Sequence, residues 1–172
     1  MRTPALCALA LLLGACQSLP GYQRPTGPTP QPELTGVTLN QPLTIRADYA
    51  SVYIQAGRVR PTNSAAEYQP HCILELRTVA PVERTVQADR FSVTGIHRDR
   101  FMAGTAGLQL AALTLDGGDY NPVMSTTTLM LHSDRQPEVV RLKCQQLDEP
   151  YWAHHVSVAE MQQALGRIMT LE

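Results

Sequence analysis

Apolar and polar side chains alternate along several short stretches of the chain after residue 50. The alternation covers residues 52–55, 71–77, 91–94 and 140–145. A period of two is typical of a β-strand with one buried face, so we predict strands here and a further threonine-rich strand over 125–133. Residues 108–115 are apolar on both faces, which fits a central strand or a short buried helix. The turn sequence at 116–119 favours the strand.

The last segment of the chain follows a different period. Ser157 and Glu160 match a capping box, in which the serine oxygen accepts a backbone hydrogen bond and the glutamate reaches back. Apolar residues then recur at helical spacing: Val158, Met161, Leu165 and Ile168. This pattern predicts a helix over 158–169 whose apolar stripe faces the sheet. We expect Trp152 to pack beneath this helix as a core anchor; the alternative is an exposed contact pair with Tyr151.

Turn-forming residues separate the predicted strands. Proline, glycine and asparagine interrupt the apolar pattern at 40–42, 61–65, 80–81 and 104–107. Many short strands at such spacing are typical of all-β domains. The predicted fold class is mainly β, an antiparallel sandwich or small barrel with one C-terminal helix packed on the sheet.

The first residues have the composition of an export signal. Arg2 is followed by an uninterrupted apolar run over 4–13. This length suits the core of a signal peptide and is too short for a transmembrane helix, which needs about 20 apolar residues. We expect residues 1–15 to be a signal peptide rather than a buried N-terminal helix.

The end of this run resembles a known processing motif. Leu13, Gly14, Ala15 and Cys16 are similar to the lipobox of bacterial lipoproteins. The resemblance implies cleavage between Ala15 and Cys16 and attachment of diacylglycerol to the Cys16 thiol, often with acylation of the new amino terminus. Two or more acyl chains hold a protein stably on a membrane. Gln17 follows in place of an aspartate, which in similar enterobacterial lipoproteins implies the periplasmic leaflet of the outer membrane.

Residues 16–36 are predicted to be the lipidated cysteine and a proline-rich tether. Five prolines fall in this stretch: Pro20, Pro25, Pro28, Pro30 and Pro32. Because proline fixes φ and removes a backbone donor, we expect an extended, semi-rigid spacer that reaches roughly 60 Å. The remainder, 37–172, is predicted to be a β-rich globular domain with the C-terminal helix.

Two cysteines remain for the folded domain. Cys7 leaves with the signal peptide and lipid occupies Cys16, so Cys72 and Cys144 form an even set. Both lie on the apolar face of a predicted strand, and an exported protein meets an oxidising compartment, so we expect a disulfide. The alternatives are two buried free thiols or a metal pair.

Arginines crowd the middle of the chain. If hairpins bring Arg58 and Arg60 beside Arg98 and Arg100, a basic patch results. Guanidinium groups bind carboxylates and phosphates bidentately, so such a patch fits an acidic envelope partner. The alternative is a set of scattered arginines paired with surface carboxylates.

The chain shows no recognised catalytic or cofactor motif. None of the five histidines has the spacing of a known metal-ligand motif: His71, His97, His132, His154 and His155. The chain also contains no G-x-S-x-G nucleophile elbow. The net charge of -1 gives no basic field for nucleic acid. We therefore predict no cofactor, no metal and no enzymatic activity.

Residues 68–77, with Arg90 and Phe91, resemble a group of proteobacterial envelope lipoproteins without an assigned activity, so this resemblance adds no function. We expect a non-catalytic, lipid-anchored lipoprotein whose β-domain binds another envelope component, either a protein or the cell wall. The alternatives are a periplasmic module for a small, anionic ligand and a hydrolase without a recognisable motif.

Overall fold

The structure is a computed structural model that describes residues 34–61, 64–103 and 121–172. The predicted signal peptide, the cleavage site at Ala15 and Cys16, and tether residues 17–33 lie outside the described residues. The strand and turn predicted over 108–119 lie outside them as well.

Ten strands and one helix follow one another along the described chain. They are β1 (Gly36–Leu39), β2 (Leu43–Ile45), β3 (Ser51–Gln55), β4 (Arg58–Arg60), β5 (His71–Leu76), β6 (Arg84–Val86), β7 (Asp89–Met102), β8 (Val123–His132), β9 (Val139–Asp148), α1 (Val158–Leu165) and β10 (Met169–Leu171). The five predicted strands over described residues fall on β3, β5, β7, β8 and β9, although the prediction at 91–94 covers only the first part of the 14-residue β7.

Eight of these strands form one antiparallel sheet. Their order is β10-β1-β7-β8-β9-β5-β3-β4, and β2 pairs with β6 in a separate two-stranded sheet. The large sheet curls into a half-barrel with the helix packed on it. The predicted antiparallel, mainly β class with one C-terminal helix is therefore confirmed, and its form is an open half-barrel.

The helix begins at the predicted capping box. The Ser157 hydroxyl accepts from the backbone N–H of Glu160 at 3.3 Å, and the Glu160 carboxylate accepts from the Ser157 N–H at 2.8 Å. Met161, Ala164 and Leu165 are the buried residues of α1, which lies against β3, β5 and β10. The stripe predicted from helical spacing thus reaches the core.

The predicted end of the helix at residue 169 is wrong. Gly166 has a φ of 58°, a left-handed conformation that glycine adopts without a Cβ penalty and that ends the helix after Leu165. Met169–Leu171 then forms β10, which pairs with β1. The final apolar residues therefore extend the sheet instead of the helix.

The folded domain begins slightly before its predicted start. Leu34 is buried, the Thr35 N–H donates to the Glu172 carbonyl at 2.8 Å, and β1 begins at Gly36, so the packed part of the chain starts before residue 37. Among the described residues, no helix is long and apolar enough to cross a bilayer.

The core lies between the sheet and the helix. Residues paired across neighbouring strands point to the same face, so each row of the register runs across the sheet on one side. One such row is fully apolar and buried: Leu129, Leu142, Leu74 and Val52. This face packs against α1 and forms the hydrophobic core of the domain.

Candidate functional site: an arginine-lined cleft

The structure does not pair the two groups of arginines from the sequence analysis. Arg58 and Arg60 lie on β4 at one edge of the sheet, whereas Arg98 and Arg100 lie on β7. Four strands stand between β4 and β7, which corresponds to roughly 24 Å along the sheet at 4.8 Å per strand. The hairpin that would have joined them is not formed, because β4 pairs with β3 and β7 pairs with β1 and β8.

Arg60 instead shares a cleft with an arginine that the sequence analysis did not single out. A cavity of about 280 Å³ lies where β2, β3 and β4 meet. Its lining, which we call the arginine cleft, consists of Thr44, Arg46, Tyr49, Ser51, Val52, Val59, Arg60 and Pro61. No local sequence signal marks Arg46, because its approach to Arg60 depends on how β2 docks on the large sheet.

The charges of the arginine cleft have no acidic partner on the described part of the chain. Neither Arg46 nor Arg60 takes part in an ion pair there, and the lining contains no carboxylate. The Nε of Arg60 is buried without a hydrogen-bond partner. The guanidinium carbon of Arg46 lies 5.5 Å from the ring centre of Tyr49, close enough for a cation–π contact. The cleft is therefore positively charged, with a buried donor free to bind.

Hydrogen bonds to β6 and to the segment before it hold the loop that carries Arg46 and Tyr49. Arg84 on β6 donates hydrogen bonds to the carbonyl oxygens of Tyr49, at 3.3 Å, and of Thr78. The backbone N–H of Asp48 donates to the carbonyl of Ala80 at 2.7 Å. These bonds tie the loop to the segment between β5 and β6, which holds one wall of the cleft in place.

The opposite wall is set by a tight hairpin turn. Ala56 and Gly57 have φ values of 51° and 68° and join β3 to β4 as a two-residue loop. Positive φ at both central residues is typical of the type I′ turn, whose twist matches that of the flanking strands. The Gly57 N–H also donates to the carbonyl of Ala164 in α1 at 2.9 Å, so the helix positions the strand that carries Arg60.

The chemistry of the cleft suits a small oxyanion. Two guanidinium groups offer bidentate donors, and the hydroxyl groups of Thr44 and Ser51 add two further donors at the lining. Its volume lies just below the usual range of small-molecule pockets. The ligand chemistry that fits is a carboxylate or a phosphate group.

The two cysteines of the folded domain lie at disulfide distance. Cys72 on β5 and Cys144 on β9 are directly opposite each other, with their sulfur atoms 2.07 Å apart and their Cα atoms 4.0 Å apart. Both side chains are fully buried. The predicted pairing is thus present, as a cross-strand bridge in the middle of the sheet.

The histidines lie in separate surroundings. His71 is buried: its Nδ1–H donates to the Gln69 carbonyl at 3.1 Å, and its Nε2 accepts from the side-chain amide of Gln145 at 3.1 Å. Burial lowers the pKa of this imidazole. His154 lies 3.2 Å from Glu160, whose hydrogen bond raises the pKa of the imidazole. Among residues 34–61, 64–103 and 121–172, no three His, Cys, Asp or Glu side chains are grouped for a metal ion.

Large apolar side chains are exposed at one end of the sheet. We call this group the apolar end; it consists of Phe101, Met102, Tyr151 and Trp152. Tyr151 and Trp152 contact each other edge to face, with ring centres 4.8 Å apart. The expected burial of Trp152 under the helix is wrong, since 67% of its surface is exposed. A turn in which the Trp152 N–H donates to the Glu149 carbonyl directs it outward, and Val156 fills the core instead.

On the described part of the chain, the arginine cleft and the apolar end present charged and large apolar side chains at the surface. The sequence matches no protein-family model, no curated protein and no solved structure.

Proposed function

We propose that the protein is a lipid-anchored, non-catalytic protein of the bacterial cell envelope, held at the periplasmic leaflet of the outer membrane. Its β-domain binds an anionic group of another envelope component in the arginine cleft. The observation that carries the binding role is that Arg46 and Arg60 line one cavity without an acidic partner.

The sequence supports the anchor. Leu13 to Cys16 follow the lipobox order directly after an apolar run, and the thiol of Cys16 is the group that accepts the lipid. Each buried methylene contributes about 0.8 kcal/mol, so two or three acyl chains suffice for stable attachment. The close approach of Cys72 and Cys144 agrees with an oxidising compartment outside the cytoplasm.

The ligand chemistry follows from the donors. A guanidinium group holds a carboxylate or phosphate through two parallel hydrogen bonds, and these are about twice as strong as neutral ones. Because the buried Nε of Arg60 lacks a partner, an oxyanion that reaches it removes the free-energy cost of an unsatisfied donor. A phosphate or carboxylate carried by an envelope component and a free small anion share this chemistry.

The test is a binding titration of the purified protein with inorganic phosphate and with acetate, followed by calorimetry and by amide chemical shifts. We expect saturable binding that moves the amide signals of the loop at 46–51 and of β4. The double variant Arg46→Gln/Arg60→Gln should lose this binding. Arg58→Gln is the matched control, because Arg58 lies on the same strand but outside the lining, and it should bind like the parent.

Binding that survives in the double variant, or that Arg58→Gln weakens equally, would contradict a role for the cleft. A photo-crosslinking residue at Val59, which lines the cleft and is 48% exposed, distinguishes the two sources of the anion in intact cells. A crosslinked envelope component supports the proposal in full. Saturable binding of the small anion without any such crosslink would support the free-ligand alternative in its place.

A further inference from the structure

The apolar end combines residues of β7 with residues of the turn after β9, and these two strands finish at the same end of the sheet. Met102 on β7 pairs with Val123, and Val123 pairs with Asp148 at the end of β9. The turn with Tyr151 and Trp152 follows Asp148 directly, so both pairs of exposed apolar residues lie at one end of the half-barrel. Phe101 and Met102 are adjacent on β7 and therefore point to opposite faces of the strand. Both are exposed, at 55% and 54% of their surfaces.

The start of the folded domain points toward this same end. β1 is antiparallel to β7, and the Val93 N–H donates to the carbonyl of Thr35 at 2.9 Å. The chain before β1 therefore enters from the side where β7 ends. From Val93 to Met102 the strand covers about 30 Å at 3.4 Å per residue. The 18 residues from position 16 to 33 span up to about 56 Å in extended form, which is longer than that distance.

We propose that the apolar end rests on the surface of the phospholipid bilayer that holds the lipid anchor. The tyrosine and tryptophan lie at the headgroup level, and Phe101 and Met102 lie beside them. This inference depends on the lipid anchor of the proposed function, but it is independent of the arginine cleft.

The composition of the apolar end agrees with a membrane interface. Tryptophan and tyrosine each combine an apolar ring with a polar group, and they are enriched where hydrocarbon meets headgroups. Acidic and basic groups both occur near this end, with Asp99 and Arg100 adjacent on β7 and Asp148 at the end of β9. Charge therefore does not select anionic lipids, and the contact is expected with zwitterionic phosphatidylcholine as well.

The single tryptophan of the chain makes the contact directly measurable. The full-length protein is produced with its own signal sequence, checked for acylation by intact mass and reconstituted into phosphatidylcholine vesicles with or without brominated acyl chains. We expect the emission of Trp152 to shift to shorter wavelength on reconstitution and to be quenched by the brominated lipid.

The matched control moves the tryptophan to the other end of the sheet. Val79 follows β5, whose Leu76 pairs with Val139 at the opposite end of β9, and it is 62% exposed. In the variant Trp152→Phe/Val79→Trp the emission should stay at long wavelength and escape quenching. Both substitutions replace exposed side chains, so the folded state should persist.

The outcomes separate this inference from the proposed function. An acylated protein whose Trp152 remains in water, or is quenched no more than Trp at 79, would overturn the membrane contact and leave the anchor standing. Shielding of Trp152 in native membranes but not in vesicles would overturn it in favour of a protein partner. A protein without acyl chains would overturn both.

Discussion

Gly166 at the end of α1 lies directly against Gly57 in the turn between β3 and β4. A Cβ atom added to Gly166 would lie 2.5 Å from the Cα of Gly57, a distance that side-chain carbons do not adopt. Both residues have positive φ, at 58° and 68°. The helix end and the hairpin that leads to Arg60 therefore meet only because both positions lack a side chain.

This contact predicts a large loss of stability for Gly166→Ala. The Cβ meets backbone atoms that cannot move aside, and the left-handed φ adds strain, so we expect a loss of at least about 2 kcal/mol in the free energy of unfolding. Gly95→Ala is the control, because its nearest neighbour would be 3.7 Å away. Urea denaturation of both variants checks the prediction, and equal midpoints would contradict it.

The lowered pKa of Asp89 predicts that the domain loses stability as the pH falls. Only 6% of the Asp89 side chain is exposed. Burial raises the pKa of this carboxyl, but hydrogen bonds from Gln136, Ser133 and the Arg90 N–H, with the nearby Arg135, outweigh burial and hold the pKa below its ordinary value. A lowered folded pKa stabilises the protein above the unfolded pKa of about 3.9, and this contribution disappears as the pH falls through the folded value.

The variant Asp89→Asn should therefore lose about 2 kcal/mol at pH 7 and depend less on pH than the parent between pH 5 and pH 2 or so. Asp134→Asn serves as the control, since that side chain is 98% exposed on the β8–β9 turn, beside the residues that hold Asp89. The urea midpoints of the parent and both variants, measured across this pH range, test the prediction. Parallel profiles of the parent and the variant would show that the pKa of Asp89 is not lowered in the folded protein.

The buried hydroxyl of Thr127, which has no hydrogen-bond partner, predicts a stabilising substitution. The Thr127 side chain is fully buried and faces the same side of the sheet as Cys144. Valine has nearly the same shape and removes the unsatisfied group, so Thr127→Val should raise the free energy of unfolding by about 1 kcal/mol. Thr128→Val, on the other face, should have little effect. A destabilised Thr127→Val variant would show that the hydroxyl has a bound partner such as a water molecule.

The bridge between Cys72 and Cys144 predicts a strong response to reductant. It closes a loop across a sequence separation of 72 residues, and the loss of loop-closure entropy in the unfolded chain amounts to about 4 kcal/mol. We expect the urea midpoint to fall markedly in dithiothreitol, and the double variant Cys72→Ala/Cys144→Ala to be insensitive to it. A midpoint that does not change with reductant would mean that the thiols are free in solution.

Local patterns predicted the elements of this fold well. Val52 and Ile54 are buried and Tyr53 between them is half-buried, as a period of two requires. The capping box located the first residue of the helix, because both of its hydrogen bonds are made within four residues. The sequence did not predict β1, β2, β4, β6 and β10, because three or four residues are too short to show alternation and their pairing depends on tertiary contacts.

The arrangement of the site depended on contacts that local patterns do not encode. Arg46 and Arg60 line one cleft because the segment after β2 lies against the β3–β4 hairpin, and this docking depends on tertiary packing, not on a local pattern. The position of Trp152 just before the helix predicts a core anchor, but whether its ring turns inward depends on the backbone turn. A turn of the backbone directs it outward, and the smaller Val156 takes the buried place.

The most direct test of this account is the intact mass of the protein purified from the membranes of its native cells. The account predicts a chain that starts at Cys16, without residues 1–15, and carries the added mass of diacylglycerol and, in many cases, a further acyl chain. A mass that still contains residues 1–15, or an unmodified Cys16, would contradict the anchor and with it the contact of the apolar end with the bilayer.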